Sequence, residues 1–240
     1  MITMPDIVVL IFVCVLTYSF EIVFGLAGTI LMLALLSSMF DPKILVIYSV
    51  LPQILVGGIG LLRSPPTVNV KFLLGMLAFA ALGTIAGLSL FYWFPAPVFQ
   101  HLLAFVITLF GAHLVIVPRL KRLNHMNART LDFLAGVSQA LFGISGPIAM
   151  TRLLATFDEK TVVRNYALAF FLALNVLRAA GYIGHHTITP EIGRMMLISA
   201  PFLMVSLWFS NYLHFKVNER VFRRVVAWII LVAGVSLFFR

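Results

Sequence analysis

Phe24-Gly25-Leu26-Ala27-Gly28-Thr29-Ile30 interrupts an apolar run that extends from Ile7 to Phe40. The pattern returns as Phe142-Gly143-Ile144-Ser145-Gly146-Pro147-Ile148. Two glycines three residues apart admit positive φ or a close backbone approach without side-chain cost. Proline fits the first turn of a helix and not its interior. Each stretch therefore reads as a break, with a new helix starting at Thr29 or Pro147. At membrane depth, broken backbone is tolerated only where protein or a watery cavity satisfies its polar groups. Matched interruptions in two halves of a chain point to a transporter's binding site. The competing reading is that the glycines merely let helices pack closely.

The surroundings of these breaks set the class. The 240 residues are 62% hydrophobic and only 10% charged, whereas a soluble domain carries about 25% charged residues. The chain is expected to be an all-α polytopic membrane protein. Its net charge of +9 is no argument for nucleic acid. The basic residues sit mostly in short loops, where anionic lipid and the positive-inside rule account for them. The single cysteine, Cys14, lies inside an apolar run. No disulfide within the chain, metal site or cofactor motif is expected. The amino terminus lacks the positive n-region and small-residue cleavage site of a secretory signal, so the first apolar run is expected to be retained.

The Ile7–Phe40 run has 34 residues and as one straight helix would be about 51 Å long. The hydrocarbon core is only about 30 Å thick. The segment is therefore bent steeply or folded back as a hairpin. Asp41-Pro42-Lys43 is a helix-start signal, with Asp41 as N-cap. Spans follow at 44–62, 71–94 and 98–117, and the longest polar loop is 118–130. Then the order repeats. An apolar segment at 131–142 carries Asp132 and Gln139, the second break follows, and Phe157-Asp158-Glu159-Lys160 echoes Phe40-Asp41-Pro42-Lys43. Spans are expected at 161–183, 190–213 and 221–239. Phe222, Ala227 and Gly234 stand in register with Phe99, Ala104 and Gly111. The chain reads as one membrane domain made of two repeats, 1–118 and 119–240. Each opens with a glycine-broken helix or helical hairpin followed by three transmembrane helices.

Charge placement favours hairpins. If each broken segment crosses once, the loop cations divide 8 against 6 between the two sides. If each returns to its own side, they divide 11 against 3, leaving only Lys43, Arg194 and Arg240 on the sparse side. The second division obeys the positive-inside rule far better. It makes the halves inverted repeats with both termini outside the cytoplasm.

Polar residues inside the spans are candidate site residues. Arg178 lies deep in its span, where an arginine is costly unless paired or solvated. Its planar fork suits a carboxylate, phosphate or sulfonate, so Arg178→Lys is expected to weaken the ligand and spare folding. Snorkelling to the interface is the plain alternative. Arg152 is the second-choice cation, with a structural ion pair as its alternative. Glu21 and Gln139 each precede a break by four residues. Glu21 is a candidate proton carrier or a partner for Arg178 or Arg152. The new helix starts offer unpaired N–H groups and a positive dipole end to an anion. The expected substrate contacts are Gly25, Ala27, Gly28, Thr29, Gln53, Gly143, Ser145, Gly146, Pro147, Arg152, Asn175 and Arg178. Gln53 and Asn175 alone are more often interhelical hydrogen bonds than ligands. Gly83-Thr84-Ile85-Ala86-Gly87 is a small-residue stripe for helix packing or a homodimer face.

With these motifs, Gly25-Leu26-Ala27-Gly28-Thr29 and Gly143-Ile144-Ser145-Gly146-Pro147, the sequence resembles the TauE/SafE family of sulfite and sulfonate exporters. The turns at Asp41 and Asp158 are similar to that family too. The resemblance covers nearly the whole chain, although Ala27 and Ser145 stand where the family's Gly-x-Gly-Gly motif has glycine. It implies a secondary transporter that exports small sulfur-containing anions across the cytoplasmic (inner) membrane without ATP, and no enzyme. Two rivals come from other classes. Gly143-Ile144-Ser145-Gly146 matches the Gly-x-Ser-Gly of rhomboid proteases, but that chemistry needs a histidine on a later span. His185 and His186 lie in a loop, and His214 lies at a span end. A non-transporting membrane assembly factor is the other.

Overall fold

The computed structural model describes residues 4–24, 28–116 and 125–213, with positions 228, 231–232 and 234–235 beyond them. Ten helices carry the described chain: α1 (Met4–Phe24), α2 (Gly28–Leu36), α3 (Pro42–Tyr48), α4 (Val50–Leu62), α5 (Val70–Trp93), α6 (Ala96–Ile116), α7 (His125–Phe142), α8 (Gly146–Leu154), α9 (Lys160–Gly184) and α10 (Pro190–Leu213). Among the described residues, five stretches are long and apolar enough to cross a membrane: Pro5–Ile22, Pro42–Leu62, Val70–Trp93, Thr161–Gly184 and Pro190–Ser210. The fold is all-α and polytopic, as expected. Most of the 221–239 span lies outside the described residues, as does most of the 118–130 loop. Gly234 lies against Thr108 of α6.

Local signals place several helix starts. The Asp41 carboxylate accepts the Lys43 N–H at 2.7 Å, with Pro42 in the first turn. Asn69 caps α5 by accepting from Phe72 N–H. Helices α3 and α4 share one membrane-length stretch, interrupted around Ser49. Pro52 has no N–H for the Tyr48 carbonyl, which loosens the ladder there. Helix α7 begins at His125, six residues before the expected 131. The polar turn through Arg129 simply continues the helix beyond the apolar segment, so part of the expected loop is helical.

Both broken segments are hairpins. Tyr18 Oη lies 3.1 Å from Thr29 Oγ1 and 3.7 Å from Met32 Sδ, contacts a continuous helix forbids at those separations. Helix α2 therefore runs back along α1. In the second copy, Asp132 on α7 meets Arg152 on α8 at 3.6 Å. A Cβ on Gly28 would overlap the Glu21 carboxylate and stand 2.9 Å from the Thr17 carbonyl oxygen, so only glycine lets α2 start flush against α1.

Helix α1 packs on α10, α4 on α9, and α5 on α7 and α9. The α5–α7 contact is the most extensive. A Cβ on Gly83 would collide with the Phe133 carbonyl, one on Gly136 with the Ala80 carbonyl, and one on Gly87 would lie 2.8 Å from Ala140 Cβ. The small-residue stripe considered as a homodimer face is thus covered from within the chain by α7. Leu74, Leu82 and Ile85 on α5 and Phe202, Val205 and Phe209 on α10 face outward. The buried set includes Glu21, Thr29, Gln53, Gln139, Asn175 and Arg178. Apolar residues outside and polar residues inside suit a chain whose solvent is lipid.

Candidate functional site

A small cavity lies between the two breaks, lined by Glu21, Thr29, Ile30, Gln53, Gln139, Gly143, Ile144, Ser145, Gly146 and Phe171. Six elements build it, with α9 contributing Phe171. Helix α1 supplies Glu21, α2 Thr29, α4 Gln53 and α7 Gln139, while the second break and the start of α8 supply Gly143 to Gly146. Gly143 has φ +72°, the left-handed conformation in which helices end and which glycine alone adopts freely. That conformation turns the chain out of α7 and lets α8 begin at Gly146. Pro147 occupies the first turn of α8 and is buried, but it does not line the cavity.

Gln53 joins the two breaks. Its Nε2 donates to the Gly143 carbonyl at 2.8 Å and to Thr29 Oγ1. Its Oε1 accepts from Gln139 Nε2 at 2.7 Å and from Arg178 Nη1 at 3.3 Å. Gln139 Nε2 also donates to Asn175 Oδ1 at 3.1 Å. Ser145 Oγ donates to Gln139 Oε1 at 2.6 Å. Ser145 is therefore tied to an amide rather than to a base that could activate it. No histidine among the described residues lines the cavity.

The two helix starts differ in what faces them. The backbone N–H groups of Gly28 and Thr29, at the start of α2, face the Glu21 carboxylate. At α8 the corresponding side chain is the neutral Gln139, and Ser145 makes no side-chain cap. The first N–H groups of a helix have no acceptor within it, and Pro147 removes one of those of α8.

Arg178 is fully buried but stands one layer behind the cavity. Its Nη1 donates to Asn175 Oδ1 at 2.7 Å and its Nη2 to the Val46 carbonyl at 2.9 Å. Ser49 Oγ at 3.4 Å and Tyr182 Oη at 3.3 Å complete the set. A Cβ on Gly143 would lie 3.3 Å from Nη2, so the guanidinium backs directly onto the break. Snorkelling is excluded by this burial, and the fork expected to grip a ligand is engaged by protein acceptors. Arg178 forms no ion pair among the described residues. Arg152 is likewise away from the cavity. It pairs with Asp132, donates to Thr156 Oγ1 and lies 5.2 Å from the Phe72 ring. That is the structural ion pair named as its alternative. Asn175 reaches the cavity only through Gln139. Gly28 sits at the start of α2 against Glu21. Gly25 and Ala27 lie outside the described residues.

Tyr18, Ser49, Tyr182 and Arg164 were not among the site residues expected from the sequence. Tyr182 follows Arg178 by one helical turn, a spacing that places both on one face. Arg164 Nη2 donates to the Ile22 carbonyl at 3.1 Å, putting a cation at the carboxy end of α1 where the dipole favours it.

Comparison with curated proteins and with solved structures gives no match. The family model described as sulfite exporter TauE/SafE matches residues 10–237. A chain of apolar helices, two hairpins and a buried polar cavity thus carries that family's sequence over nearly its whole length, and it belongs to the TauE/SafE sulfite exporter family.

Proposed function

We propose that the cavity between the breaks is the substrate site of a secondary transporter that exports small sulfur-containing anions, such as sulfite or an organosulfonate, across the cytoplasmic membrane. The observation that carries this reading is the start of α8, opening with Ser145 and Gly146 into the cavity with no acid of its own. Helix starts attract anions through orphan N–H groups and a partial positive charge. Arg178 supplies a full positive charge from behind Gly143 without touching the ligand. Glu21, Thr29, Gln53, Gln139 and Ser145 are the polar side chains lining the cavity. Gln53 and Asn175 hold the walls in register.

Purified protein should be stabilised against heat by at least one of sulfite, thiosulfate, sulfoacetate or taurine, since a bound ligand adds stability by mass action, about 2.7 kcal/mol at a hundred times Kd. Ser145→Leu, which fills the cavity, should abolish that response. An unchanged response in Ser145→Leu, or none from wild type with any of these anions, would remove the assignment.

The same reading makes the halves inverted repeats with both termini outside the cytoplasm. The 11-to-3 division of loop cations and the return of each hairpin to its own side support it. Single cysteines placed in a Cys14→Ala background should label from the cytoplasmic side at 118–130 and from the opposite side at the carboxy terminus. Labelling of both from one side would overturn this topology.

A further inference from the structure

We infer that this cavity binds its anion only together with a proton held on Glu21, so that anion and proton move in the same direction. The inference rests on the substrate site proposed above. Glu21 is only 6% exposed and lines the same cavity as Ser145 and Gly146. The N–H groups of Gly28 and Thr29 face its carboxylate, yet its Oε2, packed against Gly28, completes no hydrogen bond among the described residues. Buried polar atoms are almost always paired, so an orphan oxygen on a carboxylate that lines a cavity marks a place for a missing group.

The groups around Glu21 show what that group is. On α1 the nearest titratable neighbour is Tyr18, whose hydroxyl meets Thr29. Helix α4 brings Gln53 and α7 brings Gln139, both neutral. From α9, Arg164 reaches the Ile22 carbonyl, and Arg178 stands behind Gln53. Glu21 forms no ion pair among the described residues. An ionised Glu21 and an anion in one small cavity would be like charges sharing a site, where one of the two must be neutral. A proton on the Glu21 carboxylate removes the repulsion and gives the cavity wall a donor in place of a second negative charge. The duplicated position already shows the neutral form, since Gln139 is an amide that donates inside the same cavity.

The sign follows from linkage. Binding that takes up a proton strengthens as pH falls, by up to about tenfold per pH unit on the alkaline side. Methanesulfonate is the probe, because it carries no titratable proton of its own between about pH 6 and about pH 9, unlike sulfite. Its affinity for the full chain in nanodiscs should weaken with rising pH in wild type and stay flat in Glu21→Gln. Wild type should also take up about one proton per anion bound in weakly buffered solution, a measurement that needs no variant. Binding with a flat pH profile and no proton uptake in wild type would overturn the inference and leave the anion site standing. Equal pH slopes in wild type and Glu21→Gln would overturn it as well. No methanesulfonate binding at any pH, with none of the sulfur anions above binding either, would overturn the site and the inference together.

Discussion

Arg178→Met is expected to destabilise the protein by about 3 kcal/mol or more, since buried acceptors left unpaired cost about 1–3 kcal/mol each. The guanidinium links Asn175 and Tyr182 on its own helix to Gln53, Ser49 and the Val46 carbonyl around α3 and α4. Methionine fills much of the volume and satisfies none of these groups. Arg178→Lys should fall between, because an ammonium keeps the charge but loses the planar fork. This reverses the expectation drawn from sequence, in which lysine spared folding and cost the ligand. Thermal unfolding in detergent should rank wild type above Lys and Lys above Met. The anion-induced shift should survive in Lys and vanish in Met, which lacks the charge behind the cavity. A Met variant that unfolds with wild type would show that the network contributes nothing.

Gly83→Val should be the most damaging change on α5. Its side chain would enter the space of the Phe133 carbonyl, and even the Cβ would stand 3.0 Å from the Val137 nitrogen. Backbone cannot yield as a side chain can, so α5 and α7 must separate. Overpacking of this kind costs about 1–3 kcal/mol and sometimes more. Gly75 provides the control. It lies on the same helix, is exposed, and has nothing within 4 Å of an added Cβ. Gly75→Val should therefore change stability by no more than about 0.5 kcal/mol. Similar unfolding midpoints for the two valine variants would refute the close α5–α7 contact.

Hydropathy alone placed the spans, because lipid forces every crossing segment to be long, apolar and helical. Helix α10 at Pro190–Leu213 matches its expected bounds. The extension of α7 back to His125 was not legible, because hydropathy is silent once a helix leaves the bilayer. The breaks were visible too, since glycine and proline act locally on φ and on backbone donors. Hydropathy does not record whether a break bends or reverses a helix. The division of loop cations favoured reversal, and the Tyr18–Thr29 and Asp132–Arg152 contacts show it.

The sequence by itself determined the membrane class, the two matched breaks and the short set of polar residues that could serve them. Each of these follows from local chemistry or from the cost of polarity in lipid. Only the tertiary structure decided which polar residues share the cavity. Arg152 and Arg178 both looked like ligands, because a buried arginine is costly wherever it occurs. Packing instead gave Arg152 to Asp132 and drew Arg178 behind Gly143 into a web of carbonyl, amide and hydroxyl partners. It left Glu21 lining the same cavity as Ser145. Those choices depend on distances between residues far apart in the chain, and one-dimensional spacing carries no record of them.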